Sequence, residues 1–272
     1  MDIKGIDISS YHGKIDWEKV KADGIQFVII RAGWGKANSD TRFTKNIKDA
    51  INCGLNIGVY WYLYAKNERD IVANADKCDA VINAFRKSIN MKVWAIWQED
   101  SDKYRGKNNK TERTTWLKKF CELMTEKGYD MGIYSGVDYL NKRLNKITEY
   151  PMWLGYYATN LNNHNPFMWQ YSTSGKVDGI ITRVNLNYLI DANYKIVEPI
   201  PIPKTYPELT KGMRSEYIKM FKSRLTELGY QIEDMSNMYD PKLIPIVKKF
   251  QEDNDLVVDG VIGSNTWNKL YR

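Results

Sequence analysis

The sequence predicts an α/β protein: a modified (β/α) TIM-like barrel over residues 1–197, a linker at 198–207, and a small all-α three-helix domain over 208–272. Three observations carry that expectation. Apolar runs rich in β-branched and aromatic residues alternate with helical patterns along the first part of the chain, as sheets covered by helices require. The stretch Val197–Pro207 then holds four of the eight prolines, which favours an extended spacer and forbids a helix. Beyond it, only helix-spaced apolar stripes occur.

The strands follow in order. Ile3–Ser9 alternates apolar and polar residues, and Gln26–Ala32 (QFVIIRA) is β-branched and nearly continuous. Leu55–Tyr64, Lys92–Gln98, Met131–Ser135, Met152–Tyr157 and Phe167–Ser172 complete the series. Runs this apolar suit a sheet buried on both faces. Helices are expected at Asp40–Asn52, Glu68–Lys87 and Thr111–Lys127, the last carrying Trp116, Phe120, Leu123 and Met124 on one face. Such alternation fits either a barrel or a doubly wound sheet. From Met131 onward the strands lie too close together for a helix after each, which favours a barrel with incomplete eightfold alternation. In the last part, Tyr217, Phe221, Leu225 and Leu228 form a stripe closed by Gly229, Leu243, Val247 and Phe250 form a second, and Asn265–Leu270 is a short third helix.

Composition narrows the function classes. A chain of 272 residues has a prior of about two domains. Mean hydropathy is −0.54, and no apolar run approaches the roughly 18 residues of a membrane span. No membrane insertion is expected, and Met1–Gly5 leads into patterned sequence without a signal core, which predicts synthesis in the cytoplasm without a signal peptide. Net charge is +7; residues 208–272 carry 10 basic and 10 acidic side chains, so the excess lies in residues 1–207, with 30 against 23. That balance suits an anionic polymer or simple solubility. No nucleic-acid motif accompanies it, so nucleic acid is not an expected partner. Cys53, Cys78 and Cys121 have no disulfide or zinc spacing, and His12 and His164 have no ligand partners, so neither metal nor cofactor is expected. Gly33-Trp34-Gly35 lacks the rest of a phosphate loop, and no G-x-S-x-G occurs.

Carboxylates at strand ends are the chemical lead. Asp7 lies near the end of the first strand, and Glu99 and Asp100 follow the fourth. In a barrel of parallel strands these ends meet on one face, where two carboxyl groups can supply the acid and the charge stabilisation of glycoside hydrolysis. Trp34, Tyr60, Tyr62, Tyr134 and Tyr157 are candidates to line a sugar cleft, with core packing as the alternative for each. Arg31 is a candidate substrate contact or a structural ion pair, and His12 a loop residue.

Those residues sit in segments that resemble the family 25 glycoside hydrolases, the Chalaropsis-type lysozymes found among phage endolysins and bacterial autolysins. Gly5–Trp17 (GIDISSYHGKIDW) resembles the family's opening. Phe27–Ala32, Gly58–Tyr62, Trp94–Asp100, Gly132–Tyr134, Trp153–Tyr157 and Trp169–Ser172 follow in the family's order, covering about residues 3–195. The resemblance implies a modified barrel that cleaves the β-1,4 bond from N-acetylmuramic acid to N-acetylglucosamine, with Glu99 as general acid and Asp7 as a supporting carboxylate. Where the family has Asp-x-Glu on the fourth strand, this chain has Trp97 ahead of Glu99, and on a regular strand both would face the cleft. A second family acid aligns with Asn185, whose amide can still hydrogen-bond an acetamido group. Trp97 and Asn185 are therefore expected among the substrate contacts.

Leu225–Tyr230 (LTELGY), Phe250-Gln251 and Asp259–Trp267 (DGVIGSNTW) are similar to the three-helix peptidoglycan-binding domain. Both resemblances imply one partner, bacterial peptidoglycan, with the oligomeric state left open, and action at the cell wall after release. The expected function is a cell-wall lytic N-acetylmuramidase. The alternative, motivated by Trp97 and Asn185, is a catalytically weak or inactive lysozyme-like barrel that binds the wall.

Overall fold

Residues 3–97, 108–194 and 207–271 are described by the computed structural model, in which the chain divides into two compact units, Met1–Pro199 and Ile200–Arg272. In the first unit the apolar runs form β1 (Ile3–Ile8), β2 (Phe27–Trp34), β4 (Asn56–Leu63), β5 (Ile89–Trp97), β6 (Met131–Gly136), β7 (Met152–Gly155) and β8 (Met168–Gly175), with a two-residue β3 (Asn38–Ser39) folded back on β2. Successive neighbours from β1 through β2, β4, β5, β6 and β7 to β8 are parallel. One further strand, β9 (Val184–Leu189), runs antiparallel to both β8 and β1 and closes the ring. Among the described residues this makes a closed barrel of eight strands. Sequence reading gave no strand at β9, because the asparagines of VNLNYL argue against one. In the barrel those asparagines point inward and have polar work to do.

Helices α1 (Trp17–Ala22), α2 (Phe43–Asn52), α3 (Glu68–Ile82), α4 (Lys110–Glu126) and α5 (Val137–Arg143) pack outside or connect the strands. The expected start of α2 at Asp40 falls three residues early, since the Asp40 carboxylate instead accepts hydrogen bonds from Arg42 N–H and Arg31 Nε. α3 stops at Ile82 and a 3₁₀ segment, Asn83–Ser88, leads into β5. α4 opens with a reciprocal cap, the Asn109 side chain accepting from Glu112 N–H at 2.9 Å and the Glu112 carboxylate accepting from Asn109 N–H at 2.8 Å. Among the described residues no helix lies between β7 and β8 or between β8 and β9, so the alternation is incomplete, as the short intervals predict.

Period-two alternation sorts the side chains of each strand. Ile6, Ile8, Val28, Ile30, Val59, Trp61, Val93 and Ala95 face the helices and meet Ile47, Ile71, Leu117 and Phe120. Phe27, Ile29, Tyr60, Trp94, Ile96, Trp153, Phe167 and Met168 fill the interior. Their rings meet edge-on, Trp94 with Trp153 at 5.8 Å and Tyr134 with Trp153 at 4.6 Å, contacts worth about 0.5–1.5 kcal/mol each beyond area burial. Rings this large fit because the facing strand positions are glycine: Trp94 lies over Gly132 and Phe27 over Gly5. The floor is closed by Lys92, bonded to Asp130 and lying over the Phe167 ring, and by Tyr194, whose hydroxyl donates to Asn90 O.

The second unit consists of α6 (Glu216–Glu227), α7 (Leu243–Glu252) and α8 (Ser264–Tyr271), around Ile218, Phe221, Leu225, Val247, Phe250, Trp267 and Leu270. Leu228, expected on the first stripe, is 47% exposed, because it is the cap residue beyond the helix and has left the helical register. The Phe250-Gln251 pair has a clear structural meaning. The buried Gln251 amide donates to Asp259 Oδ1 (2.8 Å) and Val261 O (2.9 Å) and accepts from Gly260 N–H (2.9 Å), locking the Asp259-Gly260 turn against α7.

Two stability outcomes follow. In Gly132→Ala the added Cβ sits 2.4 Å from the Trp94 ring, so urea unfolding of the first unit should lose about 1–3 kcal/mol. Gln251→Leu leaves the buried Gly260 N–H without its acceptor, and the second unit should lose about 1–3 kcal/mol in the same measurement.

Candidate active site

Because Ile6 and Ile8 face the helices, Asp7 faces the interior, near the C-terminal end of β1 where the parallel strands open. The antiparallel register of β9 sets Asn185 opposite Asp7 and Asn187 opposite Gly5. Both amides consequently reach the Asp7 carboxylate. Asn185 Nδ2 donates to Oδ1 at 2.9 Å, and Asn187 Nδ2 donates to Oδ2 at 2.9 Å. A third amide, Gln170 on β8, donates to Oδ2 at 2.7 Å. Asp7 is 5% exposed. Burial raises its pKa above the ordinary aspartate value, while the three amides and the nearby His12 pull the other way by favouring the charged form.

A second tier of donors orients the first. Trp153 Nε1 donates to Asn187 Oδ1 at 2.8 Å, and the hydroxyls of Tyr134 and Tyr157 donate to Gln170 Oε1 at 2.8 and 2.7 Å. Tyr134 approaches so closely over β7 that a Cβ on Gly155 would lie 2.7 Å from its hydroxyl. Burial pushes the Tyr134 phenol well up, so it stays protonated and acts as a donor. Tyr157 is 58% exposed and Tyr62 is half-buried, with its ring edge-on to Tyr60 at 5.5 Å.

On the β2 side a bulge between Arg31 and Gly33 shifts the alternation, so Arg31 and Trp34 share a face. The Arg31 guanidinium lies 5.0 Å from the Trp34 ring centroid and 5.1 Å from that of Tyr11. It donates to Asp40 Oδ2 at 2.8 Å and to Ser10 Oγ at 3.1 Å. Arg31 thus forms an ion pair with a partner, Asp40, that the sequence did not reveal. His12 belongs to the turn after β1, its Nδ1 accepting from Ser9 N–H at 3.0 Å.

Two expected cleft residues are placed differently. Trp97 does not face the interior: it lies 5% exposed on the helix side of β5 with Val93 and Ala95, its ring 6.1 Å from Trp116 of α4. Alternation from Trp94 and Ile96, which do face inward, dictates this. Tyr60 faces inward but is only 6% exposed, packed beneath the opening against Tyr62 and Trp153. Glu99, Asp100 and Asp102 lie outside the described residues. Gln170, Asn187 and Trp153 were not singled out by sequence reasoning. The Asn-x-Asn spacing of 185 and 187, which puts two amides on one strand face, was the available signal. Among the described residues no three His, Cys, Asp or Glu side chains converge as a metal site.

The charged form of Asp7 is the one that burial disfavours. The stability this group contributes is therefore fullest when it is protonated and falls as pH rises through its raised folded midpoint. A ¹³C NMR titration should give an Asp7 carboxyl midpoint above about 3.9, and Asp7→Asn should abolish that part of the pH dependence of unfolding.

Known proteins share this architecture. The profile described as "Glycosyl hydrolases family 25" matches residues 6–180, and the "Putative peptidoglycan binding domain" profile matches residues 214–270. An autolytic lysozyme of Clostridium acetobutylicum is 27% identical over 267 residues, covering 97% of this chain and 77% of that protein. Lysozyme M1 of Streptomyces globisporus is 26% identical over 197 residues, 68% of this chain and 67% of that one. The modular autolysin LytC of Streptococcus pneumoniae, solved with a synthetic peptidoglycan ligand, superposes with a TM-score of 0.63 at 28% identity. That match covers 69% of this chain, and the chain spans 46% of LytC. With a family profile matched across most of the chain and a barrel that superposes on a family autolysin, this chain belongs to the glycosyl hydrolases of family 25.

Proposed function

We propose that the chain is a cell-wall lytic N-acetylmuramidase that hydrolyses β-1,4 bonds of bacterial peptidoglycan and acts at the wall, endolysin-like. The observation that carries this reading is the inward, amide-clamped Asp7 carboxylate at the open end of a family 25 barrel, in a chain that also matches a peptidoglycan-binding profile. Supporting it, two relatives bear the name lysozyme and LytC was solved with a peptidoglycan ligand.

In this reading Glu99, whose side chain must leave the strand face that Trp97 takes, protonates the glycosidic oxygen. Asp7 supplies fixed negative charge close to the positive charge that develops on the sugar as the bond breaks. Asn185, which holds Asp7, also presents its amide group to the substrate acetamido group. Trp34, Tyr62 and Tyr157 offer ring faces and phenolic oxygens to the sugars, and Tyr134 backs that wall through its bond to Gln170. Arg31 supports this wall of the cleft by bracing Trp34. Residues 208–272 hold the insoluble polymer near the barrel, raising the local substrate concentration. Among the described residues no helix is long and apolar enough to cross a membrane.

The test uses purified bacterial cell walls. The wild-type chain should lower turbidity and release new muramic-acid reducing ends. Glu99→Gln should keep its unfolding midpoint and lose about 10²–10⁴-fold in rate. Wall binding by the wild type without new reducing ends, or full activity in Glu99→Gln, would refute the assignment.

A further inference from the structure

The polar chain that begins at Asp7 has a direction. An ionised carboxylate only accepts hydrogen bonds, so the end of Gln170 that meets Asp7 Oδ2 at 2.7 Å must be its NH₂ group. The carbonyl end then faces Tyr134 and Tyr157, and an amide oxygen also only accepts. Each tyrosine has a single hydroxyl proton, and each directs it at Gln170 Oε1, at 2.8 and 2.7 Å. Their remaining capacity is to accept. The two hydroxyls also hydrogen-bond each other, and Tyr134 is hemmed in by Trp153 and β7, whereas Tyr157 is 58% exposed and its oxygen keeps a lone pair for one further donor.

We infer that Gln170 is a positioning residue that fixes the polarity of the cleft, so that Tyr157 presents a hydrogen-bond acceptor to the N–H of a substrate acetamido group. This rests on the proposed reading of the opening as a glycan cleft. An acetamido group has one end that donates and one that accepts, so a tyrosine whose proton is held by Gln170 orients it. A sugar hydroxyl, which can rotate to do either, is not discriminated in this way. The specificity of the cleft for N-acetylated sugars is then set partly by a residue that need not touch the sugar.

The titratable and charged groups around Asp7 among the described residues are Tyr60 of β4, Tyr134 of β6, Tyr157 after β7 and His12 in the turn after β1, with the Arg31–Asp40 pair beyond Tyr60. None of these carries the amide donor that Gln170 supplies. Replacing Gln170 by methionine keeps its bulk, removes one donor from Asp7 and frees both tyrosine protons. The Asp7 carboxyl is then less favoured in its charged form, and its titration midpoint moves up.

The experiment uses the full chain, chitotriose and cellotriose. Gln170→Met should raise the ¹³C titration midpoint of Asp7 in the free protein and weaken chitotriose binding. Tyr157→Phe, a change at an exposed ring that leaves the fold intact, should weaken chitotriose binding about 3- to 10-fold. It should leave cellotriose binding and the Asp7 midpoint in place. An unmoved midpoint in Gln170→Met overturns the inference, as does wild-type chitotriose affinity in Tyr157→Phe. Equal losses for both sugars, or a wild-type chain that does not bind chitotriose, overturn it too. The midpoint and the binding need no turnover, so an inactive wild type showing both shifts would sink the muramidase reading and leave the role of Gln170 standing.

Discussion

A carboxylate buried to 5% exposure must be compensated, and among the described residues the barrel does this for Asp7 with neutral amides rather than a cation. A bound cation would cancel the negative charge. Three amide donors leave it in place while satisfying both oxygens, as the proposed stabilisation of a developing positive charge requires. Much of the surrounding architecture serves that clamp. β9 must run antiparallel to bring Asn185 and Asn187 into register, Trp153 must be buried to hold Asn187, and Gly155 must lack a side chain for Tyr134 to reach Gln170.

The barrel was legible because its strands are buried on both faces. Runs such as FVIIRA and VYWYL have no polar face and stand out from the amphipathic helices between them. β9 was not legible for the opposite reason: its inward residues serve a polar group, so a strand built to clamp a carboxylate reads as a loop. The same strand-face logic shows where sequence reading failed at Trp97. Knowing that residues two apart share a face does not say which face, and the inward Trp94 and Ile96 settle that only once the barrel is in hand. Asp7 was found because it ends an apolar strand. Gln170 was passed over because nothing in a lone glutamine reveals that it joins two rings to a carboxylate across 163 residues of chain.

The second unit makes a related point about motifs. Phe250-Gln251 and Asp259-Gly260 carry the resemblance to a peptidoglycan-binding domain, and in the structure Gln251 spends its amide on the following turn. A small helical unit has little core, and one satisfied buried amide fixes a loop that apolar packing alone would leave loose. Gln251 and the Gly260 backbone are therefore accounted for by the fold of the unit.

The reversed direction of β9 has a consequence for what stands at the rim of the barrel. A parallel eighth strand would end at the rim and send the polypeptide out among the loops that frame the opening. Running the other way, β9 delivers the chain to the base, where Tyr194 fastens onto Asn90 and Phe167. The described residues that follow β9, as far as Tyr194, thus stay at the base and add nothing to the rim where Asp7 lies.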